Sequence, residues 1–112
     1  MTLVNLCPHP VCILHEDGSK SVLPQAGVAR VGVDYRSGGT VEVEGKPVQI
    51  IQGVYGEVVG LPEPGAECFY LVSHMVRMAL PKRRDLLSPA NMVRDGEGNI
   101  LACRMFEMNM ES

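Results

Sequence analysis

The chain has no tryptophan, and its aromatic side chains are Tyr35, Tyr55, Tyr70, Phe69 and Phe106 alone. A core must therefore be assembled from valine, leucine, isoleucine and methionine. The same scarcity argues against a platform for single-stranded nucleic acid, where successive bases stack on exposed rings. Excess positive charge is also missing. Ten lysines and arginines stand against thirteen acids, a formal charge of -3. General attraction to a nucleic-acid polymer or an anionic membrane surface is not expected at that balance. No apolar run approaches the roughly 20 residues that span a bilayer. The opening MTLVNLCPHP lacks the basic and long apolar regions of a secretory signal. Without an export signal, Cys7, Cys12, Cys68 and Cys103 are expected to be reduced thiols of a cytoplasmic protein.

What is present is room for one domain, residues 1–112, with enough apolar side chains for a core of its own. Residues 2–6 alternate as a strand, and Pro8 and Pro10 stiffen the link that follows. Residues 11–23 read as a hairpin turned at Asp17-Gly18. Residues 28–35 suit a strand, and RSGG at 36–39 suits a turn. TVEVEG at 40–45 is the clearest period-2 pattern, which places Val41 and Val43 inward and Glu42 and Glu44 outward. A turn at Gly45-Lys46 leads to strands at 47–51 and 54–59. Residues 67–72 form a short apolar run that predicts a buried strand. The period then changes, with Met75, Val76, Ala79 and Leu80 on one helical face, Ser73 as the N-cap and Pro81 as the stop. Residues 82–99 read mostly as loop, with a short extended piece at 92–94, and 100–108 as the last strand. The fold class is α+β: a mostly antiparallel sheet or a small, partly open barrel, with one short helix after a buried strand.

Charge is segregated. Between residues 77 and 94 lie Arg77, Lys82, Arg83, Arg84 and Arg94, against the single acid Asp85. The helix dipole accounts for Lys82 and Arg83 beside a helix C-terminus, with no ligand needed. The remaining arginines suit an anion, because guanidinium forks match phosphate oxygens. Ser73, at the start of the helix, adds backbone amides that an anion would meet.

Two smaller constellations compete. Cys7, His9, Cys12 and His15 are four metal-ligand types within nine residues. The two prolines and the alternation of a strand oppose their convergence unless Cys68 or Cys103 joins, so buried thiols are the default and no metal is expected. His9 with Glu57, which follows Gly56 in an apolar segment, would suit acid–base work in a small hydrolase. Glycine-rich phosphate loops are absent, and no cofactor is expected.

The ordered set Asn5-Leu6-x-Pro8-His9, Gly56-Glu57-Val58, Gly60-Leu61-Pro62, Tyr70-Leu71-Val72-Ser73, Arg84-Asp85-Leu86-Leu87 with Pro89, Val93-Arg94-Asp95 with Gly98, and Ala102-Cys103-Arg104 spans nearly the whole chain. It resembles a family of small, largely uncharacterised proteins of phages, prophages and bacteria that open with Asn-Leu-Thr-Pro-His. Cys7 stands where that family has threonine, which does not bind zinc in such sites and weighs further against a metal. The resemblance implies a phage setting, in which small acidic sheet proteins often inhibit host defence. On that footing the expected function is a non-cleaving sponge for a phosphorylated nucleotide immune signal, a cyclic nucleotide or an ADP-ribose derivative, in the host cytoplasm. Arg77, Arg83, Arg84 and Arg94 with Ser73 would hold the phosphates, and Asn5, His9 and Glu57 the base or ribose edges. The rival is a structural or protein-interaction module using Met105, Phe106, Met108 and Met110, a segment able to repack against a partner. Homo-oligomerisation is expected on either reading, since a small sheet must cover its edges.

Overall fold

A computed structural model describes residues 2–110. Among these residues the chain forms eight strands and one helix: β1 (Thr2–Asn5), β2 (Val11–Leu14), β3 (Lys20–Leu23), β4 (Arg30–Val43), β5 (Lys46–Val59), β6 (Cys68–Leu71), α1 (His74–Ala79), β7 (Leu86–Arg94) and β8 (Ile100–Met108). Six strands make one sheet in the order β1-β6-β7-β8-β2-β3, and β4 and β5 make a separate two-stranded ribbon. The architecture is mostly β with one short helix, as the sequence led one to expect. The expected antiparallel pairing holds for β2–β3, β4–β5 and β7–β8, whereas β1–β6, β6–β7 and β2–β8 run parallel. The β6–α1–β7 unit explains one of these, because a helical crossover returns the next strand in the same direction.

The six-stranded sheet is strongly curled. Laid flat, its edge strands β1 and β3 would be roughly 24 Å apart, five spacings of about 4.8 Å. Instead the Asn5 amide of β1 donates to the Leu23 carbonyl of β3 at 3.0 Å. Apolar side chains from all six strands accordingly meet in one cluster. Leu3, Leu71, Leu87, Cys103, Phe106, Val11, Ile13 and Leu23 pack there with Cys7. A second cluster lies under the helix, where Leu6, Tyr70, Val72, Val76 and Leu86 pack with Ala29 and with Val31 and Val58 at the base of the ribbon.

Two departures from the sequence reading have physical causes. RSGG is not a turn: β4 runs through it to Val43, and the extra residue is absorbed as a bulge between Ser37 and Gly39. Gly39 takes φ +98, a backbone conformation that glycine adopts without strain. Residues 86–94 are not loop but the nine-residue strand β7, although it contains Pro89. The Leu87 carbonyl is the last to serve β6, accepting from the Val72 amide at 2.8 Å. Pro89 lies one step beyond on that same edge, where the ladder has already ended, so its missing N–H leaves nothing unpaired.

The helix has six residues and is closed at both ends as the sequence implied. Ser73 Oγ accepts from the Val76 amide at 3.3 Å, and the Leu80 amide bonds back to the Arg77 carbonyl at 3.2 Å. Gly60, at φ +82, is required where the chain leaves β5, because a Cβ there would fall on the Val28 carbonyl oxygen.

Candidate functional site

A cavity of about 570 Å³ opens where the stiff Cys7-Pro8-His9-Pro10 link passes the start of α1 and the first residues of β8. Its walls are apolar, with Val11, Pro89, Met92, Ile100, Leu101 and Ala102 beside the thiols of Cys7, Cys12 and Cys103. Polar groups come from His9, Ser73 and His74. The volume is in the range of small-molecule sites, which are mostly apolar with a few polar groups that orient the ligand.

Hydrogen bonds elsewhere fix what these groups offer. His9 Nδ1 lies 2.8 Å from the Pro10 carbonyl oxygen, which only accepts, so Nδ1 carries the proton and neutral His9 keeps Nε2 as an acceptor. His74 is the opposite tautomer. Its Nδ1 accepts from the Arg77 guanidinium at 3.1 Å, which leaves the ring proton on Nε2 as a donor. Ser73 Oγ already accepts from Val76 and retains its hydroxyl proton to donate. The residues that line the cavity thus have one acceptor and two donors to offer beside its apolar walls. Burial, and then the neighbouring Cys103 thiol, push the Cys7 thiol up to about 11, so it stays protonated near neutrality. Burial also raises the Cys103 thiol. These two groups are wall material rather than nucleophiles, since reactive cysteines are thiolates.

The structure does not gather the eight predicted ligand residues into one site. His9 and Ser73 line the cavity. Asn5 is buried beneath it and shapes the link: its Nδ2 donates to the carbonyls of His9 at 3.2 Å and Leu23 at 3.0 Å, and its Oδ1 accepts from the Cys7 amide at 2.9 Å. Both polar atoms of that side chain are engaged within the fold, where they hold the His9 link. Glu57 is exposed beside the β5 register shift, away from the cavity, and is not brought to His9.

The arginines part company as well. Arg77 is only 4% exposed. Its guanidinium donates to Ser88 Oγ at 2.8 Å, Asn109 Oδ1 at 3.0 Å and His74 Nδ1 at 3.1 Å, and pairs with Glu107 at 3.2 Å. The fork expected to meet phosphate is engaged in tying α1 to β7, β8 and Asn109. Arg83 is clamped by both carboxylate oxygens of Asp85, at 3.0 and 2.6 Å, and reaches the Pro62 carbonyl at 3.1 Å. That pairing raises its pKa further, so it stays charged with its charge already balanced. Arg84 is exposed just before β7, and Arg94 ends β7 with Nη1 on the Gly98 carbonyl at 2.8 Å. Strand β7 carries Arg94 away from Arg84, since its eight steps from Leu86 to Arg94 span roughly 26 Å at about 3.3 Å per residue. They cannot share one phosphate. None of the four arginines lines the cavity. The helix-start argument for an anion weakens too, because six residues sum only a small dipole.

Among the described residues, no group of three or more His, Cys, Asp or Glu side chains is placed to hold a metal. His15, the fourth member of the N-terminal constellation, bonds Ser21 Oγ at 2.7 Å across the β2–β3 hairpin. No helix among the described residues is long and apolar enough to cross a membrane.

His74 is the site residue that the sequence did not single out. One signal was available: it lies three residues before Arg77 on the same helical side, so a buried arginine would orient it. No protein-family model, no curated protein and no solved structure matches this chain.

Proposed function

We propose that the protein is a binding module that holds a small, nucleoside-sized ligand in the His9–Ser73–His74 cavity without cleaving it. The observation that carries this reading is the pairing of apolar walls with two oppositely protonated imidazoles and a serine hydroxyl. A flat ring would lie against Val11, Met92 and Ala102 and present its donor and acceptor edge to the two Nε2 atoms and Ser73. Against catalysis stands the state of the thiols. Burial keeps Cys7 protonated.

The ligand class follows from the wall. It contains no lysine or arginine, so recognition rests on the nucleoside portion, and any phosphates point out of the cavity. This modifies the nucleotide-sponge expectation by moving the recognised part of the signal from its phosphates to its base. The phage setting, the anti-defence role and the host-cytoplasm location follow from the resemblance of the sequence. We read the curled sheet as a partly open barrel whose mouth is this cavity.

Isothermal titration against cyclic dinucleotides, ADP-ribose and the corresponding unphosphorylated nucleosides tests the proposal. Binding of nucleosides within about tenfold of their nucleotides is expected, a difference of at most about 1.4 kcal/mol. A His74→Ala change should weaken both alike. Absence of heat with every compound at tens of micromolar protein refutes the reading. Binding that requires phosphate and survives His74→Ala refutes the assignment of the cavity.

A further inference from the structure

The β4–β5 ribbon is the part of the molecule least accounted for by its own fold. Only its base is anchored, through Val31 and Val58. Beyond that, Tyr35, Val41, Val43, Val48, Ile50, Ile51 and Tyr55 are 42–64% exposed. Side chains of directly paired residues share a face. Near the tip the apolar face carries Val41, Val43 and Val48 with Ile50, and the opposite face carries Thr40, Glu42, Pro47 and Gln49. Past the bulge at Gly38 the apolar residues change sides: Val33, Tyr35, Ile51 and Tyr55 lie on the face opposite to the tip patch. The glycines agree with this assignment. A Cβ on Gly38 would meet Ile50 at 3.0 Å, and one on Gly53 would meet Val33 at 3.5 Å and Tyr35 at 3.7 Å.

An isolated two-stranded hairpin is marginal in water, so one with valine and isoleucine on both faces needs cover. The bulk dimensions say how much. The radius of gyration is 17.2 Å, whereas a compact chain of this length has about 13 Å. The accessible surface is 7931 Å², against roughly 6,100 Å² for a compact monomer of the same mass. The surplus is on the order of 1,800 Å², more than twice the ~800 Å² that each partner contributes to a standard interface.

We propose that the β4–β5 ribbon is an assembly arm whose two apolar patches are covered by a second copy of this chain. The surplus area reaches what a stable dimer needs. The ribbon also meets the condition for a self-complementary contact, because a two-fold interface sets a patch against itself and needs both signs of charge or neither. Asp34 and Arg36, two residues apart on one face, supply both. The face change at Gly38 lets the arm present one patch at its tip and another at its middle.

The test is light scattering coupled to size exclusion, on the full chain from 1 to 200 µM. Wild type is expected at twice the 12.2 kDa chain mass or a higher multiple. The tip variant Val41→Glu/Ile50→Glu and the mid-arm variant Ile51→Lys alter exposed positions outside both core clusters. Each is expected to lower the mass toward one chain while far-UV circular dichroism stays as in wild type. A wild type that runs as a single chain at 200 µM overturns the proposal, including when that single chain binds phosphatidylcholine vesicles or a different protein. So does a folded tip variant that keeps the wild-type mass. Should the variants fail to fold, hydrogen exchange of wild type decides. Arm amides at 39–50 slowed increasingly at higher concentration support the proposal, and amides that exchange at unprotected rates at all concentrations overturn it.

Discussion

Replacing Arg77 by methionine separates an arginine that binds a ligand from one that builds the fold. The side chain is 4% exposed and contacts four groups. Methionine fills much of the volume but donates nothing. Ser88 Oγ and Asn109 Oδ1, both in buried residues, then lose a charged donor, at about 1–2 kcal/mol each. Glu107 is half exposed, so solvent screening limits its pairing to about 1 kcal/mol or less. The loss extends further through Asn109, whose Nδ2 donates to the carbonyls of Leu80 and Arg83 at 2.9 Å each and closes the end of α1. A net loss of about 3 kcal/mol follows, a large share of the 5–15 kcal/mol that typically holds a domain. In urea unfolding, with a slope near 1.5–2 kcal/mol per molar, the midpoint should drop by about 1.5–2 M. Protein concentration must be held fixed, because an assembling chain gains stability by mass action. Arg77→Lys should fall between, since one ammonium keeps the charge but cannot reach Ser88 and Asn109 together. A midpoint shift below about 0.3 M for Arg77→Met, accompanied by lost nucleotide binding, would refute the structural role and return Arg77 to the ligand.

Two further outcomes follow from the buried polar and thiol groups. Brief alkylation of native protein at pH 8, read by peptide mass spectrometry, should label Cys12 and Cys68 before Cys7 and Cys103. Cys7 should become reactive only as pH rises toward about 11, and early labelling of Cys7 at pH 8 would contradict its burial. Because that folded value is raised, Cys7 contributes stability that is complete below the ordinary thiol range and fades as pH climbs through about 11. Asn5→Ala should cost about 2–3 kcal/mol, leaving the Cys7 amide and the Leu23 carbonyl without their partner. Hydrogen exchange should speed up at Cys7 in that variant, and unchanged protection there would show that Asn5 does not hold the link.

Local chemistry was the legible part of the sequence. Ser73 could be read as an N-cap because its hydroxyl satisfies an amide that any helix leaves open, and Asp17-Gly18 as a hairpin turn because Gly18 accepts φ +86. Strand β7 was hidden because Pro89 and Asn91, the latter at φ +52, both argue for a loop. The tolerance of Pro89 depends on where β6 stops, which is a property of the sheet and not of the segment. The arginine cluster is dispersed for a related reason. Proximity along the chain became distance in space once Arg77 entered the interior, Arg83 met Asp85, and β7 carried Arg94 away.

The ribbon shows most clearly what periodicity can and cannot say. TVEVEG alternates as a half-buried strand should, and the structure keeps that alternation in its registry of Val41 with Val48. Yet Val41 and Val43 are 50% and 55% exposed, so the expected inward face has no interior to turn to within this chain. A period-2 pattern reports that one side of a strand is built to leave water. It carries no information on whether the covering surface lies in the same chain. The second half of the ribbon makes the point sharper, because the apolar side switches at Gly38 and both Ile50 and Ile51, adjacent in sequence, are exposed on opposite faces. No single layer of the same domain can cover both. An arm sandwiched within an assembly can, and that is why the pattern that looked like core in the sequence is better explained as interface.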